Sequence, residues 1–160
     1  MPEIGNQTPL PGKDVGKPYI YETRMEVRDY ECDIQGIVNN ANYLHYTEHT
    51  RHRFLRSLNV SFAKLHDKGV DAVVARMQAK FKTPLRSDDE MLSCMNLRKE
   101  GVKYVFEHDI YRVSDKRLCF HADVELVTLI NGRLGMSEDY DRAFLPVIEA
   151  FEKRCKEAKG

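Results

Sequence analysis

Asp33 is the residue whose neighbours best suit it for chemistry. Three residues on stands Gly36, which lets the backbone bend tightly, and then Asn39 and Asn40, strong helix N-caps whose side-chain oxygen accepts from a first-turn amide. This order sets a carboxylate beside the positive end of a helix, where unpaired amides can hold a developing negative charge. A base or nucleophile beside such amides is what acyl transfer needs. The competing reading makes Asp33 a turn residue that satisfies nearby amides.

Other residues invite weaker readings. Glu48 lies midway along the same predicted helix and is a second candidate carboxylate, or an ion-paired surface residue with Arg51 and His52 in range. His45, His49 and His52 have helical metal-ligand spacing, but no Glu follows His45 as in HExxH, so a polar face is expected and no metal. The four cysteines are far apart without a CxxC pair, which argues against structural zinc and a disulfide framework. Arg76, Lys80, Lys82 and Arg86 form a cationic series suited to phosphates, or an ordinary solvated strand face.

The elements that must position these groups follow from periodicity. Residues 19–27 alternate as a strand with one apolar face. A helix is expected over 40–58, with Tyr43, Leu44, Phe54, Leu55 and Leu58 on its apolar side and His45, Glu48, His49, Arg51, His52, Arg53 and Arg56 on the other. A short helix over 62–68 closes at Gly69. Strand patterns follow at 72–82, 90–99, 102–113 and 118–130, then an Asn131-Gly132 turn and a helix over about 141–157. Four sequential strands are expected to pair as an antiparallel meander covered by the 40–58 helix, an α+β layer in which one sheet wraps one helix.

Residues 1–17 read as an extended arm or mobile tail, and 18–160 as a single domain. With Lys+Arg and Asp+Glu at 25 each, nothing in the charge balance suggests nucleic acid. No apolar run suggests a signal peptide or a membrane span, so a cytoplasmic protein is expected.

The stretch Asp33-Ile-Gln-Gly36-Ile37-Val38-Asn39-Asn40-Ala-Asn-Tyr43, with Glu48 and Arg51 downstream, resembles the hotdog-fold thioesterases of the 4-hydroxybenzoyl-CoA thioesterase superfamily. Phe81, Pro84 and Asp89 match a second feature of that family, although Asp88 stands where relatives carry Gly and Ile37 where many carry His. The resemblance spans about 19–131. It implies a hotdog fold, an antiparallel sheet wrapped around a long central helix, and hydrolysis of an acyl-CoA to a carboxylic acid and CoA without a cofactor. It makes Asp33 the nucleophile or general base and the amides of Asn39 and Asn40 oxyanion donors. Gly36, Val38, Tyr43, Glu48 and Arg86 become substrate contacts, although an aromatic one turn into a helix, as Tyr43 is, more often packs in the core. A homodimer or a tetramer of two dimers is implied. The alternatives are an acyl-carrier-protein thioesterase and a non-catalytic acyl-CoA-binding module; a hotdog dehydratase lacks its histidine in the 27–40 loop.

Overall fold

A computed structural model describes residues 10–159. In chain order it contains β1 (Tyr21–Glu26), α1 (Asn40–Ser57), α2 (Phe62–Asp67), β2 (Val70–Phe81), β3 (Glu90–Glu100), β4 (Lys103–Arg112), β5 (Leu118–Ile130), β6 (Arg133–Leu134) and α3 (Glu138–Lys159). Single 3-10 turns stand at Lys13–Val15 and Asp29–Glu31.

All strand pairs are antiparallel, in the order β1-β3-β4-β5-β2, with β6 added to β5. The expected four-strand meander is thus corrected: β3, β4 and β5 follow one another, but β2 pairs with β5 and β1 takes the free side of β3. Connectivity gives the reason. β1 and β2 occupy opposite edges, so the segment between them must cross the sheet. Four strand spacings of ~4.8 Å make about 19 Å. The 18 residues of α1 at ~1.5 Å each make about 27 Å, enough for that crossing. The sheet curls around the helix that joins its edges, the hotdog arrangement.

α1 buries Tyr43, Tyr46, Thr47, Thr50, Arg51 and Phe54 against the sheet. Tyr43 stacks on Phe120 with ring centroids 5.0 Å apart, and Phe54 packs on Phe106 and Phe144. Two helix positions differ from their expected face: Leu44 is exposed and Arg51 is buried. The Arg51 guanidinium donates from Nη1 to Nε2 of His108, 3.1 Å away, and His108 is wholly buried on β4. Burial, then the Arg51 charge, pushes the His108 pKa well below its ordinary value, so the ring is neutral.

On β2 the apolar face changes parity. Val74 pairs with Leu126 and Arg76 with Glu125, leaving Ala75 as the extra residue of a bulge. Ala72 packs on the core before it and Met77 and Ala79 after it, while Val73 and Phe81 are exposed. The Asn131-Gly132 turn has both residues left-handed (φ 52° and 80°), closing the β5–β6 hairpin. α3 starts three residues before the expected helix because Ser137 caps it, its Oγ accepting from the Tyr140 amide.

The expected arm at 1–17 lies partly outside the described residues. Its described part, from Leu10, is folded onto the outer face of the sheet. Tyr19, fully buried, donates an amide bond to Pro11 and its hydroxyl lies 2.6 Å from the Asp109 carboxylate.

The buried neutral His108 ties stability to pH. Below the ordinary histidine pKa of about 6.5 the unfolded chain takes up a proton that the folded chain cannot, so stability falls on acidification. Denaturant unfolding between pH 6.5 and 5 is expected to show a slope approaching ~1.4 kcal/mol per pH unit from this group, absent in His108→Gln. Equal slopes in both proteins would assign the proton uptake elsewhere.

Candidate active site

After β1 the chain forms a miniature hairpin. The Asn39 amide donates to the Glu31 carbonyl, Cys32 bridges Val38, and the Asp33 amide donates to the Ile37 carbonyl. Gly36 closes the tip with its amide on the Asp33 carbonyl, at φ 76°, a left-handed value that glycine adopts without penalty. Its neighbour Arg86 approaches the empty Cβ position only to 3.9 Å, so backbone conformation is what selects glycine there.

A second loop holds this hairpin. The Val38 amide donates to the Leu85 carbonyl, Ile37 bridges Arg86, and the Leu85 amide donates to the Tyr43 hydroxyl at 3.1 Å. Val27 exchanges backbone bonds with Asp88 and Asp89. The Arg86–Asp89 turn is closed by the Asp89 amide and carboxylate, with Asp88 at φ 68°. That left-handed value explains the expected glycine; Asp is among the few other residues that tolerate it.

The Asp33 carboxylate stands on a partly exposed loop. Its Oδ1 accepts from the Gln35 amide at 2.8 Å, an Asx turn, and its second oxygen has no partner among the described residues. The turn reading and the chemical reading therefore use different oxygens. Beside it, the Cys32 thiol is pushed up by burial and by the Asp29 and Asp33 charges, so it is no activated thiolate.

The helix start separates the two asparagines. Asn39 is the N-cap, its side chain accepting from the Ala41 amide at 3.0 Å. Its own amide is engaged by Glu31, which corrects the expectation that it is a free oxyanion donor. The Asn40 amide, first of the helix, has no acceptor among the described residues.

Asp33, Gly36, Asn39, Asn40 and Arg86 are thus gathered in one loop cluster. Val38 and Tyr43 lie beneath it as core, 2% and 3% exposed: Tyr43 takes the core position its place one turn into the helix favours, and the expected side-chain contact of Val38 with substrate is corrected to a supporting role. Glu48 is not in the cluster. Eight residues beyond Asn40, it sits about 12 Å along α1, exposed and 3.7 Å from His52. There it joins Arg51 in lining a cavity of about 290 Å³ walled by Leu55, Phe106, Leu126 and Phe144. Sequence reasoning missed this cavity and the buried His108 that accepts from Arg51 in its wall. His108 in the apolar alternation of β4 was the available signal.

A larger groove of about 870 Å³ runs from β1 along the Asp29–Glu31 turn to the outer face of α1, lined by Arg28, His45, Tyr46 and His49 among others. Burial, then the Arg53 and Arg56 charges, lowers the His49 pKa. Arg76, Lys80 and Lys82 are exposed on or just after β2, apart from the loop cluster.

Comparison with known proteins bears on the family and the fold. The model of the thioesterase-like superfamily matches residues 27–145. An acyl-acyl carrier protein thioesterase of Arabidopsis thaliana is 31% identical over 117 residues, which are 72% of this chain and 62% of the relative. The chain thus spans under two thirds of that relative's length. A putative esterase of Aquifex aeolicus is 38% identical over 96 residues, covering 59% of this chain and 73% of its own. A 1,4-dihydroxy-2-naphthoyl-CoA thioesterase from Synechocystis superposes with a TM-score of 0.73 at 13% identity, over 82% of this chain and 97% of the neighbour, which bears on the fold. With 27–145 matched, a range that runs from the Asp33 loop into α3, the chain belongs to the thioesterase-like superfamily.

Proposed function

We propose that the protein hydrolyses an acyl-CoA thioester to a carboxylic acid and CoA. The observation that carries this reading is the pairing, in one hydrogen-bonded loop, of an Asp33 carboxylate with a free oxygen and an Asn40 amide with no acceptor. The thioester carbonyl oxygen accepts from the Asn40 amide, and the positive end of α1 favours the charge that builds there. Asp33 either attacks the carbonyl carbon, giving an anhydride that water then opens, or takes a proton from the attacking water. The C–S bond breaks, and the CoA thiolate leaves and is protonated. A thioester is already activated, so position and oxyanion stabilisation suffice without a cofactor.

Gly36 keeps backbone rather than side chain at the tip, and the nearness of the Arg86 guanidinium to it supports a contact with a phosphate or carbonyl of the substrate. An acyl-carrier-protein thioester is the alternative substrate, suggested by the Arabidopsis relative's printed activity. Glu48 is the alternative carboxylate, favoured by its place on the 290 Å³ cavity.

We also propose a homodimer formed edge to edge through β2. This is a 12-residue edge strand whose Val73 and Val74 are 40% and 48% exposed. An exposed apolar edge is a template for pairing with a second copy. Reaction with CoA thioesters suits a cytoplasmic setting.

Steady-state hydrolysis of short, long and aromatic acyl-CoAs is expected to fall a hundredfold or more in Asp33→Asn, on the scale of a lost acid/base group, and only a few-fold in Glu48→Gln. The reverse pattern would move the chemistry to Glu48. Native mass spectrometry is expected to show an even-numbered oligomer, and Ala75→Pro with Val74→Lys to shift it toward monomer. A monomeric wild type would remove the β2 interface.

A further inference from the structure

The cavity beside α1 has walls that do not match one of its residues. Leu55, Ala72, Phe106, Leu126 and Phe144 make it apolar, yet Arg51, 9% exposed, also lines it. A guanidinium carries five N–H donors. One is engaged by His108, and no carboxylate lies within ion-pair distance of Arg51 among the described residues. His108 is neutral, so the bond to it supplies an acceptor but no counter-charge. Among the described residues the carboxylate acting on Arg51 is that of Glu48, more than half exposed on the solvent side of the cavity and beyond ion-pair distance. Burial still lowers the Arg51 pKa, and an anion reaching the guanidinium would offset that cost.

Size narrows the class. About 290 Å³ lies at the low end of ligand cavities, which run from about 300 to 1,000 Å³. It suits one aromatic ring or a short aliphatic chain rather than a long acyl tail. Glu48 and His52, each more than half exposed, line the same cavity and give it a solvent side. An apolar body would therefore lie among the rings with its acidic end at Arg51.

We infer that this cavity binds a compact carboxylate with an apolar body, Arg51 serving as its counter-ion. Two sources share that chemistry: the free acid released by thioester hydrolysis, and the distal carboxylate of a dicarboxylic acyl thioester. Binding itself does not depend on the hydrolase reading, although both sources rest on it.

The test is calorimetric titration of the full chain with phenylacetate and hexanoate, each against its neutral amide. Wild type is expected to bind at least one acid about tenfold or more tightly than its amide, the scale of a charge-assisted hydrogen bond, and Arg51→Met to lose that preference. Arg51→Met leaves His108 without its donor and risks the fold, so Ala72→Phe is the second variant. It fills the cavity while keeping Arg51 and its bond to His108, and is expected to weaken acid binding at least tenfold at an unchanged thermal midpoint. Equal binding of acid and amide, no binding of either acid, or wild-type binding by a folded Ala72→Phe would overturn the site. Hydrolysis of adipoyl-CoA against hexanoyl-CoA separates the sources. A tenfold higher kcat/KM for adipoyl-CoA, lost in Arg51→Met, assigns the distal carboxylate. Equal rates with competitive inhibition by the free acids assign the product. Acid binding with no thioester hydrolysed by wild type would remove the hydrolase reading and leave the site standing.

Discussion

Leu85 holds the candidate site together. Fully buried, it presents its carbonyl to the Val38 amide and its amide to the Tyr43 hydroxyl, clamping the end of the loop and the first turn of α1 onto one backbone unit. Tyr43 is fixed in turn by stacking on Phe120 and by edge contacts with Tyr46 and Phe81. The direction of the helix start, and with it the aim of the Asn40 amide, therefore depends on core packing rather than on a free loop. Preorganisation of this kind is what an oxyanion donor requires, since a donor that must reorient during the reaction loses its advantage.

The clamp works because of the crossing above it. β1 and β2 lie on opposite edges, so α1 must traverse the sheet, and its N-terminus arrives where the 84–89 loop leaves β2 for β3. The far half of the same helix meets α3 and β5 and carries Glu48 and Arg51 along the smaller cavity. One helix thus presents two chemically distinct places about three turns apart. The first is a carboxylate with a free amide, the second an apolar cavity with a buried cation.

Much of this is legible in the sequence. Asn39 and Gly36 marked the helix start and the turn through their backbone preferences, and alternation marked β4 and β5 clearly and β3 more weakly. Periodicity reports which face of a strand is apolar but not which strand lies beside it, so the placement of β2 on β5 could not be read locally. The Ala75 bulge shifts parity by a single residue within an unbroken apolar pattern, which hides it. Arg51 read as surface because charge on a helix is usually solvated; its burial depends on His108, 57 residues away in sequence. The difference between the Asn39 and Asn40 amides depends on a single carbonyl, that of Glu31, and neighbouring identical residues give no hint of it.

The most direct measurement is the turnover of Asn40→Pro. Proline is tolerated at the first position of a helix, and Asn39 at φ −61° and ψ 140° already has the backbone that must precede it. The substitution removes one N–H and leaves the Glu31 and Leu85 bonds in place. If the Asn40 amide holds the oxyanion, kcat falls by about 10²–10³ while the circular dichroism spectrum and thermal midpoint stay near wild type. Wild-type turnover in a folded Asn40→Pro protein would contradict it and place the carbonyl elsewhere.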